Sequence, residues 1–96
     1  MISGTSIVNA AADLVSCDLD GEAVVLAFGS GIYYGLDPVG ATIWRLVQEP
    51  RSVGSIRDAL LDEYDVEPER CERDLLALLG QLQDARLVVV RDAAAS

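Results

Sequence analysis

A chain of 96 residues, 51 % of them hydrophobic, has the usual size of one domain with one core. Sixteen acidic residues against seven arginines, with neither lysine nor histidine, give a net charge of −9. This charge repels phosphate backbones and anionic lipid surfaces, so we expect no nucleic-acid and no membrane partner. Without a signal segment or a long apolar run, the sequence predicts a soluble, cytoplasmic protein, and its lack of lysine favours a GC-rich bacterial genome.

Residue types that carry catalysis or bind metal ions are scarce. The absence of histidine excludes the nucleophile–histidine pairs of hydrolases. Cys17 and Cys71 are too few for a metal site and lack the close spacing of a redox motif. We therefore expect no catalytic residue, no metal and no cofactor. Both cysteines are expected to be small, buried hydrophobic side chains.

Both ends of the chain predict little fixed structure. Residues 1–12 have no apolar periodicity and are mostly small or polar, so we expect a poorly ordered arm. Residues 92–96 are expected to form a frayed tail. The sequence thus predicts a single domain over residues 13–91.

The first third of this domain predicts a three-stranded antiparallel meander. Residues 13–19 and 22–28 are rich in valine, leucine and phenylalanine, and Asp20-Gly21 between them is a strong hairpin signal. After a glycine-rich break, Ile32–Leu36 is β-branched and aromatic, which predicts a third strand.

Three helices are predicted next. Asp37 can cap the first, over residues 38–49, and Ser52 can cap the second, over residues 53–65. The third covers residues 68–84, with an apolar stripe at helical spacing. Gly80 lies inside it, where glycine costs up to ~1 kcal/mol relative to alanine, and therefore predicts close packing at that point.

Residues 87–90, Leu-Val-Val-Val, predict a closing strand or wing. The resulting order β-β-β-α-α-α-β is an α+β fold similar to a winged helix-turn-helix with an added N-terminal meander. In a DNA-binding relative of that fold the third helix would be basic. Here it is mostly acidic, which is a second argument against DNA binding.

The segment Tyr-Gly-Leu-Asp-Pro-Val-Gly-Ala-Thr-Ile-Trp, residues 34–44, resembles the PqqD-like domains, also called RiPP recognition elements. The resemblance continues through Tyr64-Asp65-Val66 and through Asp74-Leu75-Leu76 to Leu87, and so covers most of the predicted domain. Two single positions and one short segment depart from the family pattern. Asp37 replaces the usual asparagine, Arg86 replaces a glycine, and residues 49–51 replace a glycine-rich turn.

The resemblance implies a non-catalytic domain that binds the leader of a ribosomal precursor peptide as an added strand, beside the third strand and against the third helix. Such β-strand addition draws affinity from free backbone groups and selectivity from side-chain pockets. Carried over by position, the peptide-binding residues are Ile32, Tyr33, Tyr34, Gly35, Leu36, Arg70, Cys71, Asp74, Leu75 and Leu78. Tyr33 and Tyr34 point to opposite faces of the strand, so only one of them can face the peptide groove. For Cys71 and Leu78, packing in the core is the competing interpretation. For Arg70 and Asp74, it is a solvated helix face.

The implied partners are the precursor leader, a separate leader peptidase of the transglutaminase-like type, and a cyclase, both enzymes of lasso peptide maturation. An alternative within the family is a peptide chaperone for a radical-SAM maturation enzyme. A further alternative, of another class, is a structural or regulatory winged-helix module that dimerises through an open strand edge.

Overall fold

Three helices and two three-stranded antiparallel sheets form the structure, a computed structural model that describes residues 2–28 and 30–92. The elements in chain order are β1 (Ser6–Ala10), β2 (Leu14–Leu19), β3 (Glu22–Ala27), β4 (Ile32–Leu36), α1 (Pro38–Leu46), β5 (Arg51–Ser52), α2 (Val53–Glu63), α3 (Pro68–Asp84) and β6 (Val88–Asp92). The predicted α+β class, the meander, the three helices and the closing strand are confirmed.

The meander forms one sheet in the order β2-β3-β4. Its first hairpin turns at Asp20 and Gly21, whose φ angles of 51° and 86° match a two-residue turn with both central residues left-handed. Val25 and Leu36 point to the inner face of this sheet and are buried, and α1 packs against β3 and β4. The meander therefore has one face in the core and the other towards solvent.

A second sheet, in the order β5-β1-β6, differs from the sequence expectation. Ser6–Ala10 lies in the expected poorly ordered arm but forms β1, with Ser6 and Val8 buried. Its partner β6 lies at the other end of the chain, so the sequence around β1 carries no local pattern that would predict the pairing. Asp92, the first residue of the expected tail, is the last residue of β6, and residues 93–96 lie outside the described part.

The predicted helix caps are present. Asp37 Oδ1 accepts a hydrogen bond from the backbone N–H of Gly40 at 2.8 Å, and Ser52 Oγ accepts one from Ser55 at 3.1 Å. Helix α1 ends at Leu46, three residues earlier than predicted, and β5 was not predicted because it has only two residues. No helix in the described residues is long and apolar enough to cross a membrane.

Two local expectations are wrong. A Cβ atom added at Gly80 would have no atom within 4 Å, so this glycine is not required by close packing. Cys17 is exposed, because it lies on the solvent-facing side of β2, whereas Cys71 is buried as expected. Helix α3 contributes Leu75 and Leu79 to the core.

Candidate functional site: an apolar groove beside an edge strand

A groove of about 370 Å³ opens between the three helices. One wall is the start of α1, where Val39 and Ile43 lie four residues apart on the same side of the helix. Tyr64 and Val66 form a second wall just after α2. Val39 and Val66 are 41 % and 44 % exposed, so the groove is both apolar and accessible to a ligand.

The third wall of the groove is one side of α3. Its lining residues are Arg70, Cys71, Asp74, Leu75 and Leu78. They recur at intervals of three and four residues, which places them on one face of a helix. Cys71 and Leu75 are buried at the base of this wall, and Leu78 is half-buried. Arg70 and Asp74 are exposed at its rim.

A pair of hydroxyl groups fixes the wall between α1 and α2. Thr42 Oγ1 lies 2.9 Å from Tyr64 Oη and 3.1 Å from the backbone oxygen of Pro38. Because Thr42 has a single hydroxyl proton, which it donates to Pro38, the Tyr64 hydroxyl donates to Thr42. Tyr64 is thereby held across the two helices with its ring along the groove.

The charges of the groove lie at its rim. Arg70 Nε is 3.7 Å from Asp74 Oδ2, an exposed pair one helical turn apart, which contributes little to stability. Burial raises the pKa of the Cys71 thiol, and the nearby carboxylates of Asp74 and Glu72 raise it further, against the opposing effect of Arg57. The thiol is therefore neutral near pH 7. Within the described residues, no cluster of side chains suited to a metal ion is present.

Strand β4 leads directly into this groove. It lies at one edge of its sheet, and among the described strands it pairs only with β3. Leu36, its last residue, is buried and packs close to Gly40, where an added Cβ would lie 3.3 Å from Leu36 Cβ. The next residue, Asp37, already lines the groove. An open strand edge and an apolar groove thus adjoin one another.

The two tyrosines of β4 lie on opposite faces of the sheet. Tyr34 pairs with Val25, whose side chain is buried, and is itself half-buried against the core. Tyr33 pairs with Leu26 and is 68 % exposed. Tyr34 is therefore the ring on the helix side of the sheet, where the groove lies.

The ten residues carried over from the resemblance fall into two adjoining groups. The five from α3 all line the groove. The five of Ile32–Leu36 form the edge strand and do not line the groove itself. Sequence reasoning missed Val39, Ile43, Tyr64 and Val66 as lining residues. The valine and isoleucine spacing of α1 was visible, but only the packing of three helices turns it towards a groove.

Comparison with known proteins places this arrangement among related chains. The family model for coenzyme PQQ synthesis protein D (PqqD) matches residues 22–88. The structure of TbiB1 in complex with the TbiA(beta) leader peptide is similar, at 38 % sequence identity and a TM-score of 0.79, covering 83 % of this chain and 93 % of that chain. A comparison with curated proteins finds no match.

Two further structures are similar. Lasso peptide synthetase B1 complexed with the leader peptide is 26 % identical, with a TM-score of 0.75, over 85 % of this chain and 96 % of that chain. The PqqD truncation of Methylobacterium extorquens PqqCD, a stand-alone RiPP recognition element, is 23 % identical, with a TM-score of 0.77, over 93 % and 95 % of the two chains. At that identity the likeness concerns the fold.

Proposed function

This chain belongs to the PqqD family, and we propose that it is a non-catalytic recognition element that binds the leader of a ribosomally synthesised precursor peptide. The observation that carries the proposal is the open edge of β4 directly beside the apolar groove of α3. An edge strand offers backbone N–H and C=O groups to an extended peptide, while a groove selects its side chains.

In this mode the leader adds a strand to the meander next to β4. Alternate side chains of the leader then point to the helix side of the sheet, towards Val39, Leu75 and Leu78. Val39 and Val66 give the groove an accessible apolar surface, and its charges lie only at the rim. The leader side chains that enter the groove are therefore apolar. Tyr34 supports the strand from the same side.

Presentation of the leader to a separate peptidase and cyclase of lasso peptide maturation is the role we favour. Its support is the likeness to TbiB1 and to lasso peptide synthetase B1, both in complex with leader peptides. The family match to PqqD favours the second candidate, a peptide chaperone for a radical-SAM enzyme. A winged-helix DNA-binding role is disfavoured by the net charge of −9.

The test uses the TbiA(beta) leader peptide, which is bound in the similar TbiB1 structure, as a synthetic probe. Its binding is followed by fluorescence anisotropy and by amide chemical shifts of the isotopically labelled protein. Free N–H groups of β4 should gain partners, so amide signals of Tyr33 to Leu36 should shift and become protected from hydrogen exchange.

The same titration with duplex DNA at physiological salt is the control, and no complex is expected. Amide changes confined to α2, with β4 unchanged, would contradict strand addition. A purified sample that cleaves the precursor, and loses this activity on a point mutation, would contradict the non-catalytic role.

A further inference from the structure

The groove has a short set of polar side chains beside its apolar walls. They are Asp37, Tyr64, Arg70, Cys71 and Asp74. Two carboxylates against one guanidinium leave a negative charge in excess, and the whole chain carries −9. Both the groove and its surroundings therefore attract a cation more than an anion.

Asp37 lies where the open edge of β4 meets the groove. It directly follows Leu36, the last residue of β4, and it is exposed. Its Oδ1 atom accepts the N–H of Gly40 at 2.8 Å and so caps α1. A cap needs only one uncharged acceptor, so the negative charge is not required for this role. Among the described residues no arginine forms an ion pair with Asp37, so its charge is available to a ligand.

Asp74 adds a second carboxylate to the rim of the groove. Its only ion pair among the described residues is with Arg70, at 3.7 Å, and the two side chains are 68 % and 71 % exposed. An ion pair as exposed as this one is weak, because water and salt compete with it. A cationic group of a ligand can therefore join or replace Arg70 beside Asp74 at little cost.

The hydroxyl proton of Tyr64 is already used within the protein. Thr42 Oγ1 accepts an N–H of Arg45 at 3.2 Å and lies 2.9 Å from Tyr64 Oη, while its own proton goes to the Pro38 oxygen. Tyr64 therefore donates to Thr42 and has no proton left for a ligand. The face of its ring carries negative charge density, which attracts a cation.

The groove thus has more acceptors than donors to offer. Among the described lining side chains Arg70 is the only strong donor left for a ligand, since a thiol such as that of Cys71 donates weakly. A ligand side chain that donates hydrogen bonds finds the carboxylates of Asp37 and Asp74. These groups favour lysine or arginine over aspartate or glutamate.

The apolar walls suit the same two side chains. Lysine and arginine have long aliphatic stems that lie along apolar surface while the charged end stays in water. Val39 and Val66 are accessible and offer such a surface. The charged end would then lie at the rim, beside the carboxylates, and the interior of the groove would remain apolar.

We propose that the groove selects a leader with a lysine or arginine beside the Leu36 end of β4, and that Asp37, with Asp74 as a second carboxylate, determines this preference. The inference rests on the proposed leader-binding function and names the chemical class of leader that binds. It gives Asp37 two tasks, because Oδ1 caps the helix while the charge recognises the leader.

The test is a charge scan of the TbiA(beta) leader peptide, used as the probe. Each residue of the peptide is replaced singly by lysine and by glutamate. Fluorescence anisotropy gives the ratio of the two affinities at every position. Comparing two replacements at one position cancels the loss of the original side chain.

Protein variants locate the contact. Asp37→Asn and Asp74→Asn are made singly and together, and Asp37→Asn keeps the helix cap because an asparagine side chain caps equally well. Asp84→Asn is the matched control, since Asp84 is exposed and also lies on α3 but does not line the groove. Each single change removes one negative charge, so the control separates a local contact from the effect of net charge. Circular dichroism checks the fold of every variant.

At one position of the leader, the wild-type protein should bind the lysine peptide about tenfold or more tightly than the glutamate peptide. At that position the ratio should fall to within about threefold in the double variant. It should keep its wild-type value in Asp84→Asn. Added salt should lower the wild-type ratio, because the carboxylates are exposed.

A lysine-to-glutamate ratio that is equal at every position would overturn the inference, because it would reflect net charge alone. A ratio that the double variant leaves unchanged would do the same, and a preference for glutamate would assign recognition to Arg70 instead. In these cases binding of the unmodified peptide leaves the proposed function standing. A wild-type protein that binds neither the unmodified peptide nor any scanned form removes the proposed function, and the inference with it.

Discussion

The hydroxyl groups of Thr42 and Tyr64 lie 2.9 Å apart and join α1 to the chain just after α2, along one wall of the groove. Tyr64→Phe keeps the ring but removes this hydrogen bond, so stability should fall by about 0.5–1.5 kcal/mol. Urea unfolding measures the loss. Tyr33→Phe is the control and should be neutral, because it removes an exposed hydroxyl that makes no hydrogen bond to another described residue. Equal stability of both variants would mean that the contact does not support the groove wall.

The two tyrosines of β4 should contribute unequally to leader binding. Tyr34 lies on the helix side of the sheet and Tyr33 on the solvent-facing side. A leader strand beside β4 would bury the exposed part of the half-buried Tyr34 ring, and burying an aromatic ring is worth about 1.5–3 kcal/mol, so Tyr34→Ala should lower leader affinity by roughly one to two orders of magnitude. Tyr33→Ala should have the smaller effect in the same anisotropy titration. A larger loss of affinity for Tyr33→Ala would place the selected leader side chains on the solvent-facing side of the sheet.

Arg86 occupies a backbone conformation that favours glycine. Its φ angle is 62°, and the backbone N–H of Leu87 donates to the Leu82 oxygen at 2.8 Å, which is the closure of a Schellman motif after α3. Arg86→Gly should therefore raise stability by about 1 kcal/mol. Arg86→Ala removes the guanidinium but keeps the strained backbone and should not reproduce the gain. Equal gains from both variants would assign the effect to charge instead.

Gly80 offers a second stabilising substitution. It lies inside α3, and an added Cβ atom would point into open space, so Gly80→Ala should add up to ~1 kcal/mol to stability by helix propensity. For a domain of this size, thermal unfolding should shift upward by roughly 4–8 °C. Gly40→Ala in α1 is the matched comparison, because its Cβ would lie 3.2 Å from Asp37 Oδ1. Gly40→Ala should raise stability less than Gly80→Ala does. An equal gain in stability would mean that open space at the added Cβ does not determine the effect.

The two cysteines should differ in reactivity. Cys17 is exposed, whereas Cys71 is buried and its thiol pKa is raised. Because the thiolate is the reacting form, a raised pKa lowers the reactive fraction of Cys71 at neutral pH. The alkylation rate of Cys71 should therefore increase as the pH is raised. Iodoacetamide labelling followed by peptide mass spectrometry should find Cys17 modified first. Added leader peptide should further slow the labelling of Cys71, since that thiol lines the groove. An unchanged labelling rate would argue against the groove as the leader site.

The sequence contained enough local information for the meander and the helices. Asp20-Gly21, Asp37 and Ser52 each mark a turn or cap through chemistry within three residues of themselves, and each lies where predicted. The site was predictable only in part. The α3 residues followed from helical spacing and a family resemblance, but Tyr64 and Val66 reach the groove through tertiary packing. Strand β1 was missed because its partner β6 is remote in the chain.

That remote pairing has a consequence for the order of folding. Ser6 is paired with Asp92, so the sheet of β1, β5 and β6 can close only after nearly all of the described chain has left the ribosome. The meander needs contacts between neighbouring strands only, so its open edge can form while synthesis continues. We therefore expect the nascent chain to expose the unpaired edge of β4 before its first and last strands pair. During this interval β4 is most exposed to unwanted pairing with other chains.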